Sequence, residues 1–527
     1  MSGKGYDAIV IGGGHNGLVA AAYLARAGRR TLVLERRPLV GGAAVTEEVF
    51  PGFKFSVFSY VVSLLRPEII RELELPRHGL QILPLESTVT PLDNGDYLAS
   101  WAEPDESRRE LCRHSTRDAD AMVVFGRLMH HMAMAVKPIL NMVPPDPASL
   151  SPADLAGLLK LAGHFRALGA ARFHALHKLM TLSSADYLDE WFEFEGLKAT
   201  KSASGIIGTF LGPRSPGTAY VLLHHYMGEI DGAFRAWGFQ KGGTGAISEA
   251  IASAARAHGA EIRTDAAVER VIVRGGRATG VALEGGEEIA ANVVVSGLDP
   301  RLTFTRLVEP QSLPADLVEG VRRYKFRGSS GKVNLALAGL PDFTCLPGHG
   351  PHLRGAISIS PSIDYLERAY DDAKYGEFSR HPYMDIVIPS MIDPGMAPPG
   401  KHVMSIFVQY APHNLNGGWT DEKREAFGDT VVQTLSRYAP NLESLILHRQ
   451  VLTPADIERI TGLTEGNIFQ GELALQQLFF LRPVPQWAKY RTPIRGYWQC
   501  GAGTHPGGGI MGGSGRLAAL EILKAAA

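Results

Sequence analysis

The residues best placed to do chemistry open the chain. Gly12-Gly13-Gly14-His15-Asn16-Gly17 follows the apolar, β-branched stretch Asp7 to Ile11 and precedes an alanine-rich helical stretch, Leu18 to Ala27. In that position G-x-G-x-x-G makes a tight turn, lets backbone approach a pyrophosphate and leaves the N–H groups of a helix start facing the phosphates. Glu35 closes the next strand, Thr31 to Glu35. A carboxylate there suits a ribose with both hydroxyls free and disfavours a 2′-phosphate. A glycine turn holding no nucleotide is the plainer reading, and the motif by itself does not choose between a flavin and a nicotinamide. Gly12, Gly14, His15, Asn16, Gly17, Glu35 and Arg36 are the binding candidates of this segment.

Two further glycine clusters favour the flavin. Gly41-Gly42, followed by Ala43, stands where a two-domain flavoprotein brings backbone against its cofactor. Far along the chain, Gly501 to Gly513 ends a strand and opens a helix. A helix N-terminus there would favour the anionic N1–C2=O edge of a reduced flavin, and the glycine density suits a flat ring lying on backbone. His505, in this turn, could orient substrate or exchange a proton, although His-Pro is also a good turn former. Arg482 could pair with a carboxylate or the flavin, or make a structural contact, and Gln477 shares its segment. His224, His225, Glu229 and Arg235 form a dense polar group for which surface or packing roles compete. Met122, Met129, Met132, Met134 and Met142 could line an apolar tunnel or fill a helix core.

Four segments together resemble the phytoene desaturase (bacterial carotenoid desaturase and isomerase) family of flavoproteins. They are the first glycine run, Gly41-Gly42, the stretch from Gly466-Asn467-Ile468-Phe469-Gln470-Gly471-Glu472-Leu473 to Gln477 and Arg482-Pro483, and Gly503-Thr504-His505-Pro506-Gly507-Gly508-Gly509. The resemblance implies an extended FAD with Gly12, Gly14 and Gly17 at the pyrophosphate and Glu35 at the adenosine ribose. It implies backbone contact from Val268 to adenine, and Gly503 with the turn holding Gly509, Met511 and Gly512 at the ribityl chain and ring. Ala43 departs from the family, many members of which carry Arg there, so a charged contact is not expected. No Cys-x4-Cys pair and no second nucleotide fingerprint accompany these motifs, which disfavours disulfide reduction.

These residues need a scaffold of matching size. At 527 residues the chain suits two domains. The expected class is α/β: a Rossmann-type FAD-binding domain, residues 1–100, 226–300 and 485–527, with a discontinuous α+β substrate domain, residues 101–225 and 301–484, carrying a helical insertion. Lys plus Arg number 53 against 54 Asp plus Glu, which leaves no basic footprint for nucleic acid. The 3 cysteines are scattered, so neither a disulfide framework nor a zinc site is expected, and no metal. A strand by Tyr6 leaves no room for a secretory signal. No run of about 18 apolar residues spans a bilayer. A cytoplasmic protein is expected, or one of the mitochondrial matrix in a eukaryote. Leu155 to Met180, with Lys160, Arg166, Arg172 and Lys178, fits equally a peripheral contact with an anionic membrane and a solvated helix.

The expected activity is that of an FAD-dependent dehydrogenase, desaturase or isomerase. Its substrate would be a long apolar polyene, isoprenoid or lipid, with oxygen or a quinone as acceptor. An amine or amino-acid oxidase and a flavin-binding regulatory protein are the alternatives. Substrate identity and oligomeric state stay open.

Overall fold

The computed structural model of the chain describes residues 5–230, 232–234 and 237–526. Its frame is two seven-stranded sheets. In the first, Glu261–Arg263, Thr31–Leu34, Tyr6–Ile11 and Glu288–Ser296 run parallel, and Tyr497–Gln499 joins Glu288–Ser296 on the same terms. Continuous apolar strands such as Ala-Ile-Val-Ile (8–11) are buried because helices cover both faces of a parallel sheet. On one face lie the helices His15–Arg26, Gly245–Ala257 and Gly513–Ala526. The contact is close: a Cβ on Gly515 would stand 2.1 Å from the Asn16 carbonyl oxygen. The other face packs on Pro300–Thr305, Ala315–Arg323 and an antiparallel flap. Glu288–Ser296 joins flap to sheet as one strand, antiparallel to Arg277–Leu283 at its start and parallel to Tyr6–Ile11 from Ala291.

The second sheet runs Ile446–Leu452, Ser330–Leu337, His402–Gln409, Tyr383–Val387, Ala356–Ile359, Ser87–Pro91 and Tyr97–Trp101. Two domain boundaries expected from sequence therefore move. Residues 87–101 belong to the second sheet, since Ser87–Pro91 pairs with Ala356–Ile359 on one side and Tyr97–Trp101 on the other. Helices to Arg323 belong to the first, because Phe304, Leu317 and Val321 fill the face beneath its strands.

Between the strand Tyr97–Trp101 and Tyr226 the chain is helical. The stretch Leu155 to Met180 is not one helix: Gly169, φ +74°, divides it between Pro152–Leu168 and Ala170–Thr181. Thr116–Val136 stops short of Met142 with a 3-10 turn, Ile139–Asn141, following it. Met129 and Met132 are buried beside Phe125 and Tyr187 in this helical core, Met134 is exposed, and none of the five methionines meets the cleft described below. No described helix is long and apolar enough to cross a membrane.

Candidate active site

A cleft enclosing about 1400 Å³, its solvent mouth included, runs between the sheets. Its first end is made by the strand ends. Gly12 turns the chain at φ +92°, and a Cβ on Gly17 would sit 2.2 Å from the Gly12 carbonyl oxygen, so only glycine lets the helix start this close to the strand. No side chain caps the helix at Gly14, and a Cβ there would meet nothing within 4 Å. The uncapped N–H groups and this space fit a pyrophosphate. Gly41 docks on the turn, its N–H donating to the Gly13 carbonyl at 2.8 Å.

Glu35 is held from both sides. Its Oε2 accepts the Gly13 N–H at 2.7 Å and its Oε1 accepts the Arg37 N–H at 2.9 Å. This fixes a buried carboxylate on the cleft wall where ribose hydroxyls could donate to its remaining lone pairs. Arg37 contacts the cleft too, and its Nη1 is buried without a partner while Nη2 pairs with Glu47 at 2.8 Å. An unsatisfied guanidinium nitrogen beside a prepared carboxylate suits a polar, anionic ligand. His15 also faces the cleft, and burial pushes its pKa down to about 4, so it presents a neutral ring.

The structure brings Gly12, Gly14, His15, Asn16, Gly17, Glu35, Gly41, Gly42, Ala43 and Gly509 together around the cleft. It leaves other expected residues out. Arg36 turns away, its Nη2 donating to the Ile460 carbonyl at 2.7 Å; Arg37 takes the place expected for it. Val268 stays on its strand against Leu283. Gly503 serves packing, because a Cβ would stand 2.3 Å from Pro300 Cδ. Met511 fills the helical core and Gly512 lies against Val19 and Ile69. The glycine turn meets the cleft through Gly508, Gly509 and Ile510 instead.

Both expected catalytic residues point their side chains at backbone carbonyls. Arg482 is fully buried, and its guanidinium donates to the carbonyls of Phe469, Gly471, Glu472, Gln477 and Ala502. It ties the 466–482 segment to the glycine turn and faces no carboxylate. His505 points its ring to the Ile139 carbonyl, 3.0 Å from Nε2, and burial lowers its pKa to about 3. Its position after a strand end was legible; its side-chain direction, set by a helix far away in sequence, was not. Gln477 bonds the backbone of Lys325. Of the polar group near 224, His225 lines the cleft between Trp237 and Phe469, and His224 is buried with neither ring nitrogen paired. Glu229 pairs with Lys137, and Arg235 lies outside the described residues.

Beyond the nucleotide end the wall is aromatic and aliphatic: Phe58, Tyr60, Leu64, Ile207, Phe407 and Phe469 are among its residues. No Asp, Glu, Lys or Arg lines this part. These residues come from loops and the second sheet, and apart from Phe469, which lies in the Gly466–Leu473 stretch, they carry no motif, so sequence offered no signal for them. Among the described residues no group of side chains could hold a metal ion.

Comparison with known proteins gives this architecture a context. A family described as flavin containing amine oxidoreductase matches residues 17–523. The chain is 42% identical to rat (Rattus norvegicus) pyridine nucleotide-disulfide oxidoreductase domain-containing protein 2, over 98% of this chain and 93% of that protein. It is 27% identical to one of the limonene dehydrogenase subunits of Castellaniella defragrans, over 99% and 95% of the two chains. Among solved structures, cyclohexylamine oxidase from Brevibacterium oxydans superimposes with a TM-score of 0.57 at 17% identity, covering 99% of this chain and 100% of that one.

Proposed function

The chain belongs to the flavin containing amine oxidoreductase family and is an FAD-dependent oxidoreductase, and from that premise we propose that it oxidises or isomerises a long apolar substrate, an isoprenoid, polyene or lipid. The observation that carries this reading is the uncharged wall of the cleft beyond Glu35 and Arg37. A substrate bearing a fixed charge would lose hydration there without a partner, at a cost of several kcal/mol or more. The likeness over nearly its full length to a protein named for limonene, a hydrocarbon, supports the same class.

FAD, when bound, supplies a two-electron acceptor for hydride leaving carbon. The residues do the rest. Gly12, Gly14 and Gly17 with the helix start at His15 would hold the pyrophosphate, and Glu35 the ribose. Phe407 and Tyr60, stacked with ring centroids 5.6 Å apart, and Phe469 would flank the substrate and keep water out. Oxygen or a quinone would reoxidise the cofactor.

An amine oxidase is the second reading, favoured by the aromatic side chains of the same wall, which could hold an amine in its neutral form. Anaerobic titration of the FAD-loaded protein with monoterpenes, polyenes, fatty acyl compounds and amines separates the two. Bleaching of the flavin band by apolar compounds alone is expected; bleaching by amines alone would select the second reading, and a band that no compound bleaches would favour a regulatory flavoprotein.

We further propose a peripheral contact between the helices Pro152–Leu168 and Ala170–Thr181 and an anionic lipid surface. Leu150, Leu155, Leu159 and Phe173 are exposed there, and no acidic residue stands between Asp154 and Thr181 beside Lys160, Arg166 and Arg172, while Lys178 pairs with Glu190. Sedimentation with phosphatidylserine-containing vesicles, lost on Leu159→Asp/Phe173→Asp and absent with phosphatidylcholine alone, is the expected result. Equal binding of wild type and variant would overturn it.

A further inference from the structure

Behind the apolar wall, three strands of the second sheet present a polar cluster that the reading above does not use. Lys332, Phe407 and Asp385 are in register on the neighbouring strands Ser330–Leu337, His402–Gln409 and Tyr383–Val387, so their side chains share one face. Phe407 lines the cleft, and so does Tyr60 from the first sheet's side. The Tyr60 hydroxyl donates to Asp385 Oδ2 at 2.5 Å. Lys332 is 1% exposed, and its Nζ lies 4.7 Å from the centre of the Tyr60 ring with no hydrogen-bond partner.

This is a poor arrangement for stability. A buried ammonium without a hydrogen bond, facing a carboxylate that it does not touch, forgoes most of what offsets its desolvation. Burial pushes the Asp385 carboxyl up to about 6, against the pull of the Tyr60 hydroxyl and of Lys332. Burial likewise pushes Lys332 down to about 7, against Asp385. Tyr383, on the same strand as Asp385, also faces the carboxylate, and burial holds its phenol far above the usual value. From the elements packed against it, Ala199, Ala203, Ile206 and Leu366 are apolar, and beyond Tyr383 lie the hydroxyls of Ser358 and Tyr410. The cluster can therefore gain or lose a proton near neutrality, and Tyr60 is its hydrogen-bonded link to the cleft.

We propose that Tyr60 and Asp385 form the proton-exchanging pair of this cleft, Asp385 holding the proton and Tyr60 carrying it to the wall, with Lys332 as their counter-charge. The inference rests on the oxidoreductase reading above. Oxidation of a substrate breaks two bonds to hydrogen: one hydrogen leaves with its electron pair to FAD, the other as a proton. Tyr60 takes that proton on its oxygen while its own passes to the Asp385 carboxylate, and a new double bond is left in the product. Tyr60 is then a catalytic residue, while Asp385 and Lys332 are positioning residues.

The test begins without substrate. Infrared difference spectra of the FAD-loaded protein, titrated across the neutral range, should contain a protonated-carboxyl band that Asp385→Asn lacks and that disappears as pH rises. After mixing with D2O, that band should exchange more slowly in Tyr60→Phe by about tenfold or more. The flavin spectrum of each variant reports that it has folded. An Asp385 that shows no such band at any pH, or a band whose exchange Tyr60→Phe leaves unchanged, would overturn the proposal. The second arm uses whichever compound bleaches the flavin. Asp385→Asn should slow bleaching about 100-fold and remove the fall in rate below about pH 6, with FAD affinity unchanged, and Asp385→Glu should restore that limb. A panel in which nothing bleaches would overturn the substrate reading and leave the infrared result to decide this one.

Discussion

Arg482 and His505 show what residue type and spacing conceal. Both occupy motif positions, and both face backbone carbonyls rather than the cleft. Replacing Arg482 by Met would strand the buried carbonyls of Phe469, Gly471, Gln477 and Ala502, Glu472 keeping the Gln477 amide, and a loss of about 3 kcal/mol or more is expected in urea unfolding. His505→Gln can keep a bond to Ile139, so flavin bleaching should stay within about threefold of wild type. A second expectation concerns pH. Folded Asp385 binds its proton up to about pH 6 against an ordinary 3.8, so stability falls as pH rises through that window. Folded Lys332 releases its proton near pH 7 against an ordinary 10.5, so stability recovers as pH rises from there. Measured against an Asp385→Asn/Lys332→Met reference, unfolding free energy should pass through a minimum between about pH 6 and pH 7.

At the scale of elements, the nucleotide end was the most legible part. A strand, glycine turn, helix and acid-ended strand are local, and local chemistry dictates them. Gly17→Ala tests the turn: the added Cβ would fall 2.2 Å from the Gly12 carbonyl oxygen, so the helix must shift and FAD should no longer copurify. The second sheet was legible as strands but not as an order. Ser87–Pro91 pairs with Ala356–Ile359, far along the chain, and no turn residue announces that pairing. For the same reason Phe407, Asp385 and Lys332 escaped notice: an apolar strand with one charged residue reads as an ordinary sheet until its neighbours are known.

For the molecule as a whole, the cleft lies between two sheets that contribute unlike chemistry. The first brings backbone and the fixed Glu35 carboxylate, the second an uncharged wall with a proton site behind it. A ligand gripping both stabilises the folded state by mass action. FAD at about 100 times its Kd should add about 2.7 kcal/mol, seen as a higher Tm for the loaded protein than for the apoprotein. The winding of the chain through these sheets also bears on how it is made. Strands from residues 87–101 wait for partners beginning at Ala356, and Tyr497–Gln499 and the helix Gly513–Ala526 complete a layer begun at Tyr6. During synthesis, then, the second layer cannot close before Leu452 has left the ribosome, nor the first before residues 497–526 have, and the apolar strands made first stay exposed to aggregation in the meantime.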